Sequence, residues 1–461
     1  MKKTKRLITL SLTTIFIGSL HSMAWADTNQ DEDGQYTILD VYTLAKDNNA
    51  TYQSSRYQFQ AASENPPIAL GSLLPNISAS YQAEYRQTDD STSHEQTPGA
   101  TINQVLFDWS TWQTYSASKK QTKAAAMVFA QAQQDLIMKT IRAYFAVLRD
   151  QDNLGFAKAA EKWNKQLLSQ TEKKYKVGLN ALNDVEATRA QYKQAVAERL
   201  KAKQQLASSY ADLQALTGQK IDHIEHLSAD YPFGPPQPND IKKWVDIALA
   251  HNLVVARDTF SLEAKQAGVQ IEWGKFLPSA QASASINYRS NTNNNPFQHG
   301  NEQESFQASA TWNLFNGGSD YASVQQKRYD AKSMAFQVKQ DKRDAQRDVR
   351  TNFLNVLSVE SQVKAFEQSV IASEASVKAM RAGFEVGTQT IVDLLNQQKQ
   401  LFESQRNYSQ AVFNYIIDQA QLKASAGILS YQDIDDINQW LTQNVEDSVY
   451  IQPDIGQSQN S

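Results

Sequence analysis

Hydrophobic and polar residues in this chain follow two different periods, and each period occurs in two places. Between Ile77 and Tyr85, the residues Ile77, Ala79, Tyr81, Ala83 and Tyr85 fall on one face of an extended segment, with Ser78, Ser80, Gln82 and Glu84 on the other. Ala280, Ala282, Ala284, Ile286 and Tyr288 repeat the arrangement against Gln281, Ser283, Ser285 and Asn287. Phe306, Ala308, Ala310, Trp312 and Leu314 alternate with Gln307, Ser309, Thr311 and Asn313, while Ala100 to Phe107 is less regular. The pattern predicts strands over about 76–86, 99–108, 279–289 and 305–315. Strict alternation with one wholly polar face fits a strand with lipid on one side and water on the other. Aromatic residues gather near one end (Phe107, Trp109, Trp112, Trp273, Phe276, Trp312, Phe315), with Tyr85 and Tyr288 toward the other, as in interfacial girdles. The polar stretches 87–96 and 291–304 read as exposed loops between paired strands.

The second period is seven. Val349, Val356, Val363, Val370, Val377 and Phe384 are spaced by it, as are Leu394, Leu401, Tyr408, Tyr415 and Leu422. A strict seven-residue repeat implies left-handed coiled-coil packing. No proline occurs between 99 and 231 or between 297 and 452, and proline is strongly disfavoured inside helices. Long helices are therefore predicted over about 109–176 and 319–386, each roughly 100 Å long. Return helices follow over about 184–218 and 393–427. Shorter helical tracts precede the strands, about 40–70 and 240–273, so that one long helix descends beside two half-length helices stacked end to end.

The recurrence is a duplication. Val177-Gly-Leu-Asn-Ala-Leu-Asn-Asp184 returns 209 residues later as Val386-Gly-Thr-Gln-Thr-Ile-Val-Asp393, and at the same offset Gly218 meets Gly427. Leu74-Pro75 meets Leu277-Pro278. Two units of about 200 residues give internal pseudo-symmetry. Residues 27–230 form repeat 1, residues 231–430 repeat 2, and 431–461 an equatorial segment and tail.

Composition narrows the setting. Lys2, Lys3, Lys5 and Arg6 precede an apolar stretch and Ala24-Trp25-Ala26, so residues 1–26 read as a cleavable export signal. Its removal takes away four positive charges, moving the formal charge from −4 to −8, which disfavours nucleic acid as a partner. The absence of cysteine excludes disulfides and thiolate metal sites. After residue 26 no apolar run is long enough for a membrane-spanning helix, which leaves a β-barrel open. Four strands cannot close a barrel by themselves, since the smallest single-chain membrane barrels have about eight.

The duplicated layout and the two turns resemble the TolC family of outer-membrane efflux proteins. So do Leu-Pro before the first strand of each copy and Phe315-Asn-Gly-Gly318 after a strand, and the likeness covers nearly the whole mature chain. The resemblance implies a mainly α protein with a membrane β-barrel. Three copies would build a 12-stranded outer-membrane barrel on a long periplasmic helical barrel. About 219–240 and 428–447 would form an equatorial belt. It also implies a location in the outer membrane of a Gram-negative bacterium, contact with outer-membrane lipid, and a role as exit duct in tripartite drug efflux or type I secretion. A periplasmic adaptor protein and an inner-membrane transporter are the implied partners. The alternative is a periplasmic coiled-coil scaffold or surface adhesin, which would need neither the amphipathic strands nor their duplication.

Candidate sites follow. Asp184 and Asp393 begin the return helices, where a carboxylate caps backbone N–H groups; in an oligomer the same residues would ring a narrow entrance. By resemblance, Val177, Gly178, Leu179, Val386, Gly387 and Thr388 are tips that dock the adaptor. Asn396, Phe384 and Gln389 stand where relatives carry Asp, Tyr and Arg, the last two helping to hold the entrance shut. No cofactor, metal site or enzyme is expected: His223 and His226 lack a third strong ligand, and no phosphate loop or nucleophile arrangement is present.

Overall fold

The structure is a computed structural model that describes residues 35–88, 91–291 and 301–443. The expected export signal, residues 1–26, and most of the tail lie outside the described residues. In chain order the elements are α1 (Ile38–Asn48), α2 (Ala50–Ser63), α3 (Asn65–Gly71), β1 (Asn76–Thr88), β2 (Ser91–Phe107), α4 (Trp109–Lys176) and α5 (Leu182–Thr217). They continue with β3 (His226–Leu227), α6 (Ile241–His251), α7 (Leu253–Gly274), β4 (Ser279–Asn291), β5 (Asn301–Thr311), α8 (Ser319–Glu385), α9 (Ile391–Ser425), α10 (Tyr431–Asn438) and β6 (Leu441–Thr442).

The four long strands form one antiparallel sheet in the order β1-β2-β4-β5. The two copies meet at β2–β4, where Ala100 faces Ile286 and Asn103 faces Ser283. A register shift between Val105 and Phe107 interrupts this pairing, which accounts for the weaker alternation there. Two boundaries correct the sequence reading. Part of the expected loop 87–96 is strand: β2 begins at Ser91 and stays paired with β1 to the Thr88–Ser91 register, so polar residues here continue the ladder. β5 spans Asn301–Thr311 rather than 305–315, because Trp312 turns aside and donates its indole N–H to the Phe276 carbonyl at 3.0 Å. β1 and β5 each keep one unpaired edge within the described residues.

Below the sheet, α4 packs along α7 and α5, and α8 along α7 and α9. The seven-residue seam is the buried one: Val349, Val356, Val363 and Val370 pack into it from α8, and Leu394, Leu401, Tyr415 and Leu422 from α9. The principal core lies around the middle of α4, where Ile141, Tyr144, Phe145 and Leu148 meet α1, α9 and α10. The Tyr144 hydroxyl donates to the Glu225 carbonyl at 2.8 Å and so ties the segment after α5 to this core.

The half-length helices stack through a repeated device. Asn49 caps α2 by accepting from the Tyr52 N–H at 3.0 Å, and its amide NH₂ reaches the Leu216 carbonyl at the end of α5. Asn252 does the same in the second copy. Its oxygen accepts from the N–H groups of Val254 and Val255, both at 3.1 Å, and its NH₂ donates to the Ser425 carbonyl at 3.0 Å. One amide thus satisfies orphan groups of two helix ends at once. In each copy the amide joins the start of an upper helix to the end of the lower helix of that copy.

Candidate functional site

The tips are set by their turns. Gly178 has φ +75°, and the Leu179 N–H donates to the Lys174 carbonyl at 2.9 Å; Gly387 has φ +81°, and the Thr388 N–H reaches the Gly383 carbonyl at 2.9 Å. A left-handed glycine with this backbone bond is the usual way to end a helix sharply. A Cβ at either glycine would meet nothing within 4 Å, so conformation alone requires glycine there. The turns project apolar side chains: Val177, Leu179 and Val386 are 69 %, 75 % and 76 % exposed. Thr388 beside them is also exposed.

Both acidic candidates serve as caps. Asp393 accepts from the Thr390 N–H at 3.2 Å and from its hydroxyl at 2.5 Å, while Thr390 in turn accepts from the Asp393 N–H at 3.2 Å, a complete capping box. Copy one keeps half of it. Asp184 accepts from the Ala181 N–H at 3.3 Å and from the Asn180 side chain at 3.4 Å, but alanine returns nothing. Asp393 and Asn396 are exposed one turn apart on α9, whereas Asp184 is half-buried.

Phe384 and Gln389 part company. Phe384 packs with Leu167, Ile391, Leu394 and Leu395, joined by Trp163 and Met380, and the Lys174 ammonium lies 4.9 Å from its ring centroid. Because Leu167, Trp163 and Lys174 belong to α4, this cluster fastens the α8–α9 hairpin to the α4–α5 hairpin. Gln389 is exposed and folds back over Gly383, where an added Cβ would meet its Cγ at 2.6 Å. The Lys174 contact carries no local sequence signal, since its partner lies in the other copy. A double-mutant cycle of Lys174→Met and Phe384→Leu should show a coupling of about 0.5–1 kcal/mol in unfolding experiments. Strictly additive effects would rule the contact out.

One further acid went unread in the sequence. Asp152 is buried on α4 and accepts from the Ser409 hydroxyl of α9 at 2.6 Å. Burial pushes its carboxyl up to about 7, with the serine hydrogen bond opposing the rise. Its neighbour Asp150 points instead to α5, hydrogen-bonded to Ser209 and Arg149.

The profile of the outer membrane efflux protein family matches residues 41–219 and 244–428. The outer membrane protein TolC of Vibrio cholerae is 28 % identical over 94 % of this chain and 98 % of its own length. The alkaline protease secretion protein AprF of Pseudomonas aeruginosa is 22 % identical, with 86 % of each chain covered. Among solved structures, CusC superposes with a TM-score of 0.76 at 16 % identity, covering 85 % of this chain and 92 % of that one. The outer membrane protein VceC of Vibrio cholerae gives 0.74 at 18 % identity, over 85 % and 96 %.

Proposed function

We infer from the outer membrane efflux protein family, to which this chain belongs, that the protein is an outer-membrane channel for efflux and secretion with a large periplasmic helical portion. The observation that carries the reading is the four-stranded sheet, whose β1 and β5 edges are unpaired among the described residues. Open edges are not tolerated in lipid, and four strands are too few to close. Three copies supplying four strands each close one barrel of about twelve, above a common bundle of long helices. Relatives named for protease secretion and for efflux support both kinds of cargo.

The hairpin tips then form the periplasmic entrance. Asp184 and Asp393 gather there in every copy and favour cations, in addition to capping their helices. Asn396 leaves the next turn of α9 uncharged. Closure depends on the apolar cluster around Phe384 and on Lys174 rather than on an ion-pair lock. Val177, Gly178, Leu179, Val386, Gly387 and Thr388 dock a periplasmic adaptor, and an inner-membrane transporter supplies cargo and energy.

Planar-bilayer recording tests this. Purified protein should give discrete cation-preferring channels, and changing Asp184 and Asp393 together to Asn should lower the cation-to-anion permeability ratio severalfold while the helices persist. An unchanged ratio would reduce both residues to caps, and the absence of any conductance would overturn the channel reading.

A further inference from the structure

The two copies differ at the elbow between the upper helix and its strand. Copy one reads Leu70-Gly-Ser-Leu73 and copy two reads Trp273-Gly-Lys-Phe276, each followed by Leu-Pro. In copy two the Trp273 and Phe276 rings lie 5.4 Å apart, and the Arg328 guanidinium of α8 sits 5.7 Å from the Trp273 centroid. Trp273 is 43 % exposed and Arg328 is also exposed. Lys275 pairs with Glu272 at 2.7 Å, so that charge is already balanced, while Arg328 makes no ion pair among the described residues. Trp312, which follows β5, ties the elbow to the end of that strand, and Trp312, Leu314 and Phe315 are all exposed.

We propose that the Trp273–Phe276–Arg328 elbow binds the phosphate headgroup of an anionic phospholipid in the periplasmic leaflet of the outer membrane, one lipid per protomer. This rests on the strands being membrane-embedded. The elbow lies at the helix end of the sheet, its Phe276 three residues before β4 begins at Ser279, and so at the periplasmic membrane–water boundary. Acyl chains continue onto the apolar surface of Trp312, Leu314 and Phe315. The Trp273 and Phe276 rings occupy the headgroup layer, where amphipathic aromatics settle. Arg328, held over the indole, presents a planar guanidinium to the phosphate. The elbow of copy one has Leu70, Ser72 and Leu73 where copy two has Trp273, Lys275 and Phe276, and Lys119, which matches Arg328 in the sequence, lies over Tyr115 at 3.9 Å, so copy one lacks the aromatic platform. The duplicated fold thus carries one aromatic elbow with a guanidinium over it per chain.

Native mass spectrometry of the detergent-purified assembly, after reconstitution with equal phosphatidylglycerol and phosphatidylethanolamine, tests the proposal. The parent should retain phosphatidylglycerol preferentially, by severalfold, saturating at one tightly held molecule per protomer. Arg328→Gln should abolish the preference and Arg328→Lys should keep part of it. Equal retention of both lipids by the parent, or an undiminished preference in Arg328→Gln, would overturn the site while leaving the channel reading intact. Failure of the parent to reconstitute at all would count against the membrane sheet itself.

Discussion

Replacing Gly427 with alanine should destabilise the protein by about 3 kcal/mol and sharply reduce the amount assembled in the membrane. Gly427 follows α9 with φ +77°, and a left-handed alanine costs roughly 1–2 kcal/mol. The added methyl would also stand 2.2 Å from the His251 carbonyl oxygen and 2.8 Å from the Asn252 Cα. Those are backbone atoms at the α6–α7 junction, so the helix ends themselves must separate. Separation breaks the bond from Asn252 to Ser425, and losing that cap adds about 1 kcal/mol. Gly387→Ala is the internal control: it has the same backbone requirement but open space around it. Thermal unfolding of the two variants decides the point. Equal losses would show that only the backbone angle matters and that the stacked junction contributes nothing.

Asp152→Asn should make the protein more stable at pH 8 and flatten its pH dependence. The folded-state pKa of about 7 stands above the roughly 3.8–3.9 of an unfolded aspartate. Below pH 4 both states hold the proton and no penalty arises. Between about 4 and 7 the folded state binds more proton than the unfolded one, so stability falls as pH rises. About three pH units at 1.36 kcal/mol each place the full cost near 4 kcal/mol above pH 7. Asparagine keeps a partner for Ser409 and removes the charge. Melting temperatures measured from pH 5 to 8 should fall more steeply for the parent than for the variant; parallel profiles would mean that Asp152 ionises without penalty. Asp152 joins α4 to α9, so the same titration acts on a contact between the two hairpins.

Much of the architecture was legible because it repeats over long stretches. The seam from Val349 to Val370 shows in the sequence because every seventh residue meets the same partner helix, and the strand faces show because alternation separates an apolar face from a polar one. The turns at Gly178 and Gly387 were legible because a left-handed backbone admits few residues. Strand ends were harder to place. Thr92 and Gln96 look like loop residues, yet pairing with β1 satisfies their backbone as well as any apolar residue would. Trp312 looks like strand, yet its indole finds a carbonyl outside the ladder.

Local pattern therefore determined the period-two sheet, the long helices, the sharp tips and the duplication, since each depends on neighbours a few residues away or on a recurring interval. Tertiary structure alone decided which side chains meet across copies. Asn252 became a double cap because the end of α9 arrives beside it. Phe384 joined Lys174 rather than a carboxylate because α4 passes its ring. Asp152 became costly to ionise because α9 buries it. Their separations in the chain are large and irregular, so no local period encodes them, and only the packing of one hairpin on the other brings the partners within contact distance.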